Sequence, residues 1–196
     1  MRLGVFGGTF DPPHVGHLLA AVDAFDALAL DRLIFVPAAQ QPLKLAGASA
    51  DAAHRLAMVR MLVAGDARFE VDPVEIDRDG LSYTVDTLAA YATRFPDAER
   101  FFLVGADVLD SFQRWREPER VLALAQLVVL TRAGGPAVGA LPVASSPGAR
   151  APLLLATRRV DVSSTEIRSR VAAGLPLRGF VPDDVASLIE SAGLYR

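Results

Sequence analysis

The chain has 196 residues, 52% of them hydrophobic and 22% charged, the balance of a globular protein with room for a sizeable core. A net charge of −3 without a basic tail argues against nucleic acid as the main partner, and the absence of cysteine excludes disulfides and thiolate metal sites. No apolar run reaches the roughly 18 residues of a membrane span, and Gly-Gly, Asp and Pro-Pro interrupt any signal-peptide core near the start, so the expected compartment is the cytoplasm.

Residues 2–6 read as a short buried strand that ends at Gly7-Gly8. Apolar groups at Val15, Leu18, Leu19, Val22, Phe25 and Leu28 predict an amphipathic helix over 15–30. Leu33-Ile34-Phe35-Val36 is a second strand, stopped by Pro37. A loop to about residue 50 precedes a helix near 51–64, a strand near 68–76 and a helix from Tyr83 to about Phe95. Phe101-Phe102-Leu103-Val104 is another buried strand, followed by Gly105-Ala106-Asp107 and helical turns over roughly 107–124. Leu127-Val128-Val129-Leu130 is a further strand, with Arg132 just beyond it. Residues 133–150 are rich in Gly, Pro, Ala and Ser and predict a flexible loop. A strand at 152–156 and helices at about 164–173 and 183–192 close the chain.

Strands and helices alternate, and the strands are solid apolar runs. That pattern predicts a Rossmann-like, doubly wound, mainly parallel α/β sheet with helices on both faces, in a single domain. Ligands of such sheets bind beyond the carboxyl ends of the strands, where Gly7-Gly8, Gly105 to Asp107 and Arg132 fall.

Two segments carry chemistry. The first is Gly7-Gly8-Thr9-Phe10-Asp11-Pro12-Pro13-His14-Val15-Gly16-His17. The glycine pair allows a tight turn whose N–H groups can face a ligand. His14 and His17 share a face of the first helical turn, and Gly16 leaves room for a ligand beside them. With the helix N-terminus, the assembly suits the anionic oxygens of a phosphate chain. A metal site would need a third ligand from Asp, Glu or His54, and His54 itself reads as structural or solvated. The dinucleotide fingerprint G-x-G-x-x-G does not follow the first strand. The second segment is Val162-Ser163-Ser164-Thr165-Glu166-Ile167-Arg168. Ser163 and Glu166 have capping-box spacing, so a helix starts here, and Arg168 supplies a planar cation that can clamp phosphate. Lys44, in the loop after the second strand, is the only lysine.

Taken together, FGGTFDPPHVGH and SSTEIR resemble the nucleotidyltransferase superfamily that shares an H-x-G-H signature with class I aminoacyl-tRNA synthetases. Leu81-Ser82-Tyr83-Thr84-Val85-Asp86-Thr87-Leu88, Gly105-Ala106-Asp107 followed by Trp115, and the terminal Gly193-Leu194-Tyr195-Arg196 are similar to the bacterial nicotinate mononucleotide adenylyltransferases, over essentially all of 1–196. The resemblance implies transfer of AMP from ATP, accompanied by Mg²⁺, to nicotinate mononucleotide, giving deamido-NAD and pyrophosphate in NAD biosynthesis. It implies that His14, His17 and Arg168 are catalytic, with His17 nearest the α-phosphate. It implies that Gly7, Gly8, Thr9, Phe10, Gly16, Lys44, Gly105, Asp107, Ser164 and Thr165 bind ATP. Thr84, through its backbone N–H, Trp115 and Arg132 would bind the mononucleotide. No residue is assigned to a resident metal, no nucleic-acid or membrane partner is expected, and homo-oligomerisation is left open. The family's loop often reads P-P-H-K; it is Gln41-Pro42-Leu43-Lys44 here, without the usual histidine. The rival readings are the same transfer to nicotinamide mononucleotide or another phosphate acceptor, a cytidylyl transfer, a non-catalytic nucleotide-binding regulator, and a metal hydrolase.

Overall fold

The computed structural model describes residues 1–43, 48–132 and 150–196. Lys44 and the loop expected at 133–150 therefore lie outside the described residues, apart from Arg150. Among the described residues, six strands form one sheet: β1 (Arg2–Gly8), β2 (Arg32–Pro37), β3 (Phe69–Val71), β4 (Glu99–Gly105), β5 (Gln126–Arg132) and β6 (Leu153–Thr157). Their order is β3-β2-β1-β4-β5-β6, and every pairing is parallel. The helices are α1 (Val15–Ala27), α2 (Ala52–Val63), α3 (Val74–Arg78), α4 (Thr84–Arg94), α5 (Pro118–Leu124), α6 (Ser164–Ala172) and α7 (Asp183–Ser191). Among the described residues, no helix is long and apolar enough to cross a membrane.

The solid apolar strands are divided residue by residue between two cores. Side chains alternate along a strand, so Leu3, Val5, Ile34, Val36, Phe102 and Val104 pack on one face with Val85, Leu88 and Tyr91 of α4. Phe6, Leu33, Phe35, Phe101 and Leu103 pack on the other, with Ala21 and Ala24 of α1 and Val59 and Leu62 of α2. A third cluster seats Ile167 of α6 and Val185 and Ile189 of α7 against Met58 of α2. This clustering holds α6 against α2 and α7.

Three elements differ from the sequence expectation. The strand expected near 68–76 spans only Phe69–Val71. Pro73 offers no N–H to a ladder, and Asp72 Oδ1 accepts the Val74 N–H at 3.0 Å, starting α3 instead. The helix expected over 15–30 stops at Ala27, and Ala29 turns back with φ 45°. The turns expected over 107–124 are a 3₁₀ segment, Ala106–Arg114, and then α5. Glu117, at φ 51°, separates them, and Pro118 opens α5, where a missing N–H costs nothing.

The chain winds outward in one direction through β1, β2 and β3, and in the other through β4, β5 and β6. The direction reverses between β1 and β4, so a crevice opens beyond their carboxyl ends.

Candidate active site

That crevice is a cleft of about 870 Å³. Gly7, Gly8, Thr9, Phe10, His14, Gly16 and His17 line one wall, and Ser163 and Ser164 lie beside them. Thr84, Gly105, Asp107 and Trp115 line the wall opposite. Two segments more than 140 residues apart in sequence thus converge, as the motif reading requires.

The histidine geometry follows from the helix start. His14 is the N-cap of α1, with extended φ −150° and ψ 170°, and His17 is the third helical residue. Their rings stack with centroids 3.7 Å apart and planes 28° apart. Phe10 abuts the His17 ring edge-on at 5.1 Å, and Phe6 does so at 6.3 Å. The His14 backbone N–H donates to His17 Nδ1 at 3.2 Å. A ring nitrogen that accepts a hydrogen bond carries no proton, so the neutral ring holds its proton on Nε2 and donates from there.

The loop between β1 and α1 is fixed from behind by residues the motif reading did not single out. Asp11 is buried, and its carboxylate accepts the Ser49 N–H at 2.7 Å, the Ala50 N–H at 3.1 Å and the Tyr195 hydroxyl at 2.8 Å. Arg55 of α2 is only 1% exposed. Its guanidinium donates to the carbonyls of Thr9 (2.8 Å), Ala38 (2.6 Å), Ala39 (2.9 Å) and Ala50 (3.1 Å). Burial lowers the pKa of Arg55, and the Asp11 charge is the first of the groups that oppose this. One cation thereby staples the loops that follow β1 and β2 to the start of α2.

Arg168 takes a different place from the one its motif implies. It does not line the cleft. Its Nη1 donates to the Asp11 carbonyl at 2.7 Å, and its Nη2 donates to Thr165 Oγ1 at 3.2 Å. Thr165 likewise lies off the cleft wall. Ser163 caps α6 by accepting the Glu166 N–H at 3.1 Å, while Ser164 Oγ donates to the Pro12 carbonyl at 2.8 Å. The SSTEIR segment thus grips the backbone of the histidine loop, with only Ser163 and Ser164 reaching the cleft wall. His54 lies away from the cleft and pairs with its own helix cap, its Nδ1 sitting 3.0 Å from Asp51 Oδ2.

Gly16 has a nearer reason for lacking a side chain than access for a ligand. A Cβ there would meet His14 Nδ1 at 2.9 Å and Cε1 at 3.0 Å. The absent side chain is the space that the His14 ring fills. Gly16→Ala is expected to fold normally but to displace that ring, lowering kcat/KM about 100-fold; steady-state kinetics beside a melting curve checks this.

On the opposite wall, Thr84 is the first residue of α4, where backbone N–H groups have no acceptor inside the helix. Trp115 packs edge-on against Phe102 (6.2 Å) and obliquely against Phe112 (5.2 Å), leaving part of its ring to the cleft. Arg114 and Arg116 also line this side, and the Arg116 guanidinium lies 4.9 Å over the Tyr83 ring. Glu75 is buried in the same wall and accepts the Thr87 hydroxyl at 2.6 Å. Its carboxyl pKa is raised by burial, against the pull of hydrogen bonds from Thr87 and Ser82 and of the Arg78 charge. Arg158 lines the cleft at the end of β6 and grips Asp23 of α1 through both Nε (2.9 Å) and Nη2 (2.6 Å). Arg114, Arg116, Glu75 and Arg158 stand in no recognisable motif. Arg132, expected just beyond the strand, is instead the last residue of β5, and its side chain is outside the described residues.

Among the described residues, no group of three or more His, Asp or Glu is arranged to hold a metal ion. The cleft instead combines N–H-rich turns, hydroxyls, two stacked imidazoles and several arginines. Such a lining takes up phosphate oxygens.

The cytidylyltransferase-like family model matches residues 5–170. A curated relative from Gemmatimonas aurantiaca, named "Probable nicotinate-nucleotide adenylyltransferase", is 56% identical over 197 residues, covering 100% of this chain and 93% of the relative. A relative of the same name from Thermus thermophilus is 45% identical, covering 100% of both chains. In fold, the chain is similar to the Plasmodium falciparum nicotinic acid mononucleotide adenylyltransferase solved with NaAD, with a TM-score of 0.75 and 16% identity over 99% of this chain and 97% of that one. The chain belongs to the cytidylyltransferase-like nucleotidyltransferases and, among them, to the nicotinate-nucleotide adenylyltransferases.

Proposed function

We propose that this protein transfers the adenylyl group of ATP to nicotinate mononucleotide, releasing pyrophosphate and forming deamido-NAD. The observation that carries the reading is the pairing of His14 and His17, set at a helix start and locked by rings and backbone, with a wall opposite that offers Thr84 and Trp115. A phosphate oxygen of the mononucleotide attacks the α-phosphorus of ATP. One P–O bond forms, the bond to the β-phosphate oxygen breaks, and the electron pair leaves with pyrophosphate. The attacking oxygen is already anionic, so no general base is required. The chain's task is alignment and stabilisation of charge on the transferring phosphoryl group.

In this reading His17 donates from Nε2 to the α-phosphate, and His14 serves the neighbouring phosphates. The N–H groups and side chains of 7–10 and the hydroxyl of Ser164 flank the nucleotide. Arg168 and Thr165 act by holding the loop, with any direct phosphate contact requiring Arg168 to exchange partners. Lys44 is proposed to reach the triphosphate and Arg132 the mononucleotide phosphate. Asp107 and Gly105 border the sugars. Magnesium enters with ATP as part of the substrate complex, where it screens the triphosphate. A metal carried by phosphates and water needs at most one or two carboxylates from the protein, and the exposed Asp107 is the one free of the buried Glu75 network. The proposed compartment is the cytoplasm, in keeping with a chain without cysteine.

Selectivity for the acid is proposed to rest on the Thr84 N–H, because an amide nitrogen cannot accept a hydrogen bond as a carboxylate oxygen does. Thr84→Pro deletes that N–H at a position where helices tolerate proline, and Tyr83, at φ −95° and ψ 124°, already has the backbone that precedes proline. The expected result is a fall in kcat/KM for nicotinate mononucleotide of about 30-fold, with little change for nicotinamide mononucleotide. Thr84→Ala, which keeps the N–H, should retain the preference. Equal losses on both substrates in Thr84→Pro would remove the assignment.

A further inference from the structure

Tyr195 is the penultimate residue of 196, yet its hydroxyl lies 2.8 Å from Oδ1 of Asp11, at the other end of the chain. The end of α7 brings it there. Gly193 takes φ 62°, Gly193 N–H donates to Glu190 O at 3.1 Å, and Leu194 N–H donates to Ile189 O at 3.0 Å. This helix-terminating turn folds the last residues back across α2 and α6. The Tyr195 ring packs against the third core cluster. Its hydroxyl passes beyond that cluster and reaches Asp11.

Asp11 is held at both ends. Its carboxylate takes the Ser49 and Ala50 N–H groups besides Tyr195, and its carbonyl takes Arg168. It stands between Phe10, which touches the His17 ring, and the Pro12-Pro13-His14 turn. Burial raises the phenol pKa, and the hydrogen bond to Asp11 raises it further, so the hydroxyl remains a donor across the working pH range. We propose that Tyr195 is a positioning residue for catalysis: by fixing the Asp11 carboxylate, its hydroxyl sets the loop that presents His14 and His17. The inference rests on the adenylyl-transfer reading for its kinetic part. The division of labour within one side chain makes it testable, since the ring serves packing and the hydroxyl serves the loop. Ground-state binding of ATP is spread over many contacts, whereas the transferring phosphoryl group depends on the histidine position, so loss of the hydroxyl falls on turnover.

Tyr195→Phe keeps the ring and removes the donor. Turnover of the full-length enzyme with ATP and nicotinate mononucleotide is expected to fall about 10-fold, with KM for ATP within about two-fold and the melting temperature within about 2 °C. Hydrogen exchange at the Ser49 and Ala50 amides, which donate to Asp11, is expected to quicken in the same variant, and this readout does not depend on turnover. An unchanged kcat, unchanged exchange at both amides, or a loss of turnover matched by a melting point more than about 5 °C lower would each overturn the positioning role. A wild-type protein that releases no pyrophosphate overturns the adenylyl-transfer reading itself. A wild-type protein that turns over beside an equally active Tyr195→Phe variant overturns the role of Tyr195 alone.

Discussion

His17→Ala is expected to lower kcat about 1000-fold while changing KM for ATP only a few-fold, the signature of a donor used mainly in the transition state. The geometry gives the reason. Phe6, Phe10 and His14 confine the ring, and the His14 N–H fixes its tautomer. A donor already oriented need not reorganise as charge develops on the transferring group. His17→Gln separates this role from proton transfer. Its amide nitrogen can donate from near the Nε2 position but cannot shuttle a proton, so it should recover roughly 10-fold over Ala. Equal activity of the Gln and Ala variants, together with a bell-shaped pH profile in the wild type, would point to acid–base chemistry instead.

The largest expected effect on stability belongs to Arg55. Arg55→Met preserves much of the side chain's bulk but removes every donor to the carbonyls of Thr9, Ala38, Ala39 and Ala50. Those carbonyls lose a buried charged donor, and the Asp11 carboxylate loses a buried counter-charge. Removing one member of such a buried set costs about 3–5 kcal/mol, or a melting temperature lowered by about 10 °C in a chain of this size. Arg60, on the same helix but exposed, makes the control: Arg60→Met should change stability by less than about 0.5 kcal/mol. Thermal denaturation of the two variants beside the wild type decides between a staple and a surface charge.

Arg55 also marks the limit of what the sequence shows. The sequence places Arg55 only within the helix near 51–64 and gives no sign of its burial, because the carbonyls that enclose it come from three separate turns. Asp11 reads as part of a turn for the same reason: Tyr195 and Ser49 reach it through tertiary packing alone. The parallel sheet was legible, since apolar runs buried on both faces have few other uses. His14 and His17 were legible because glycine turn, helix start and imidazole spacing are all local. Arg168 was legible as a cation near the site, but its contact with the Asp11 carbonyl depends on how α6 lies against the loop. Glu75, Arg114 and Arg158 carry no local signal, and only the closing of the sheet and its helices brings them to one cleft.

Adenylyl transfer to the acid is decided by pyrophosphate release from ATP measured with nicotinate mononucleotide and with nicotinamide mononucleotide, side by side at equal concentrations. Steady release with the acid is expected, with deamido-NAD formed in equal amount and a kcat/KM at least about 100-fold lower for the amide. Preference for the amide, or ATP binding with no pyrophosphate released from either acceptor, would contradict it.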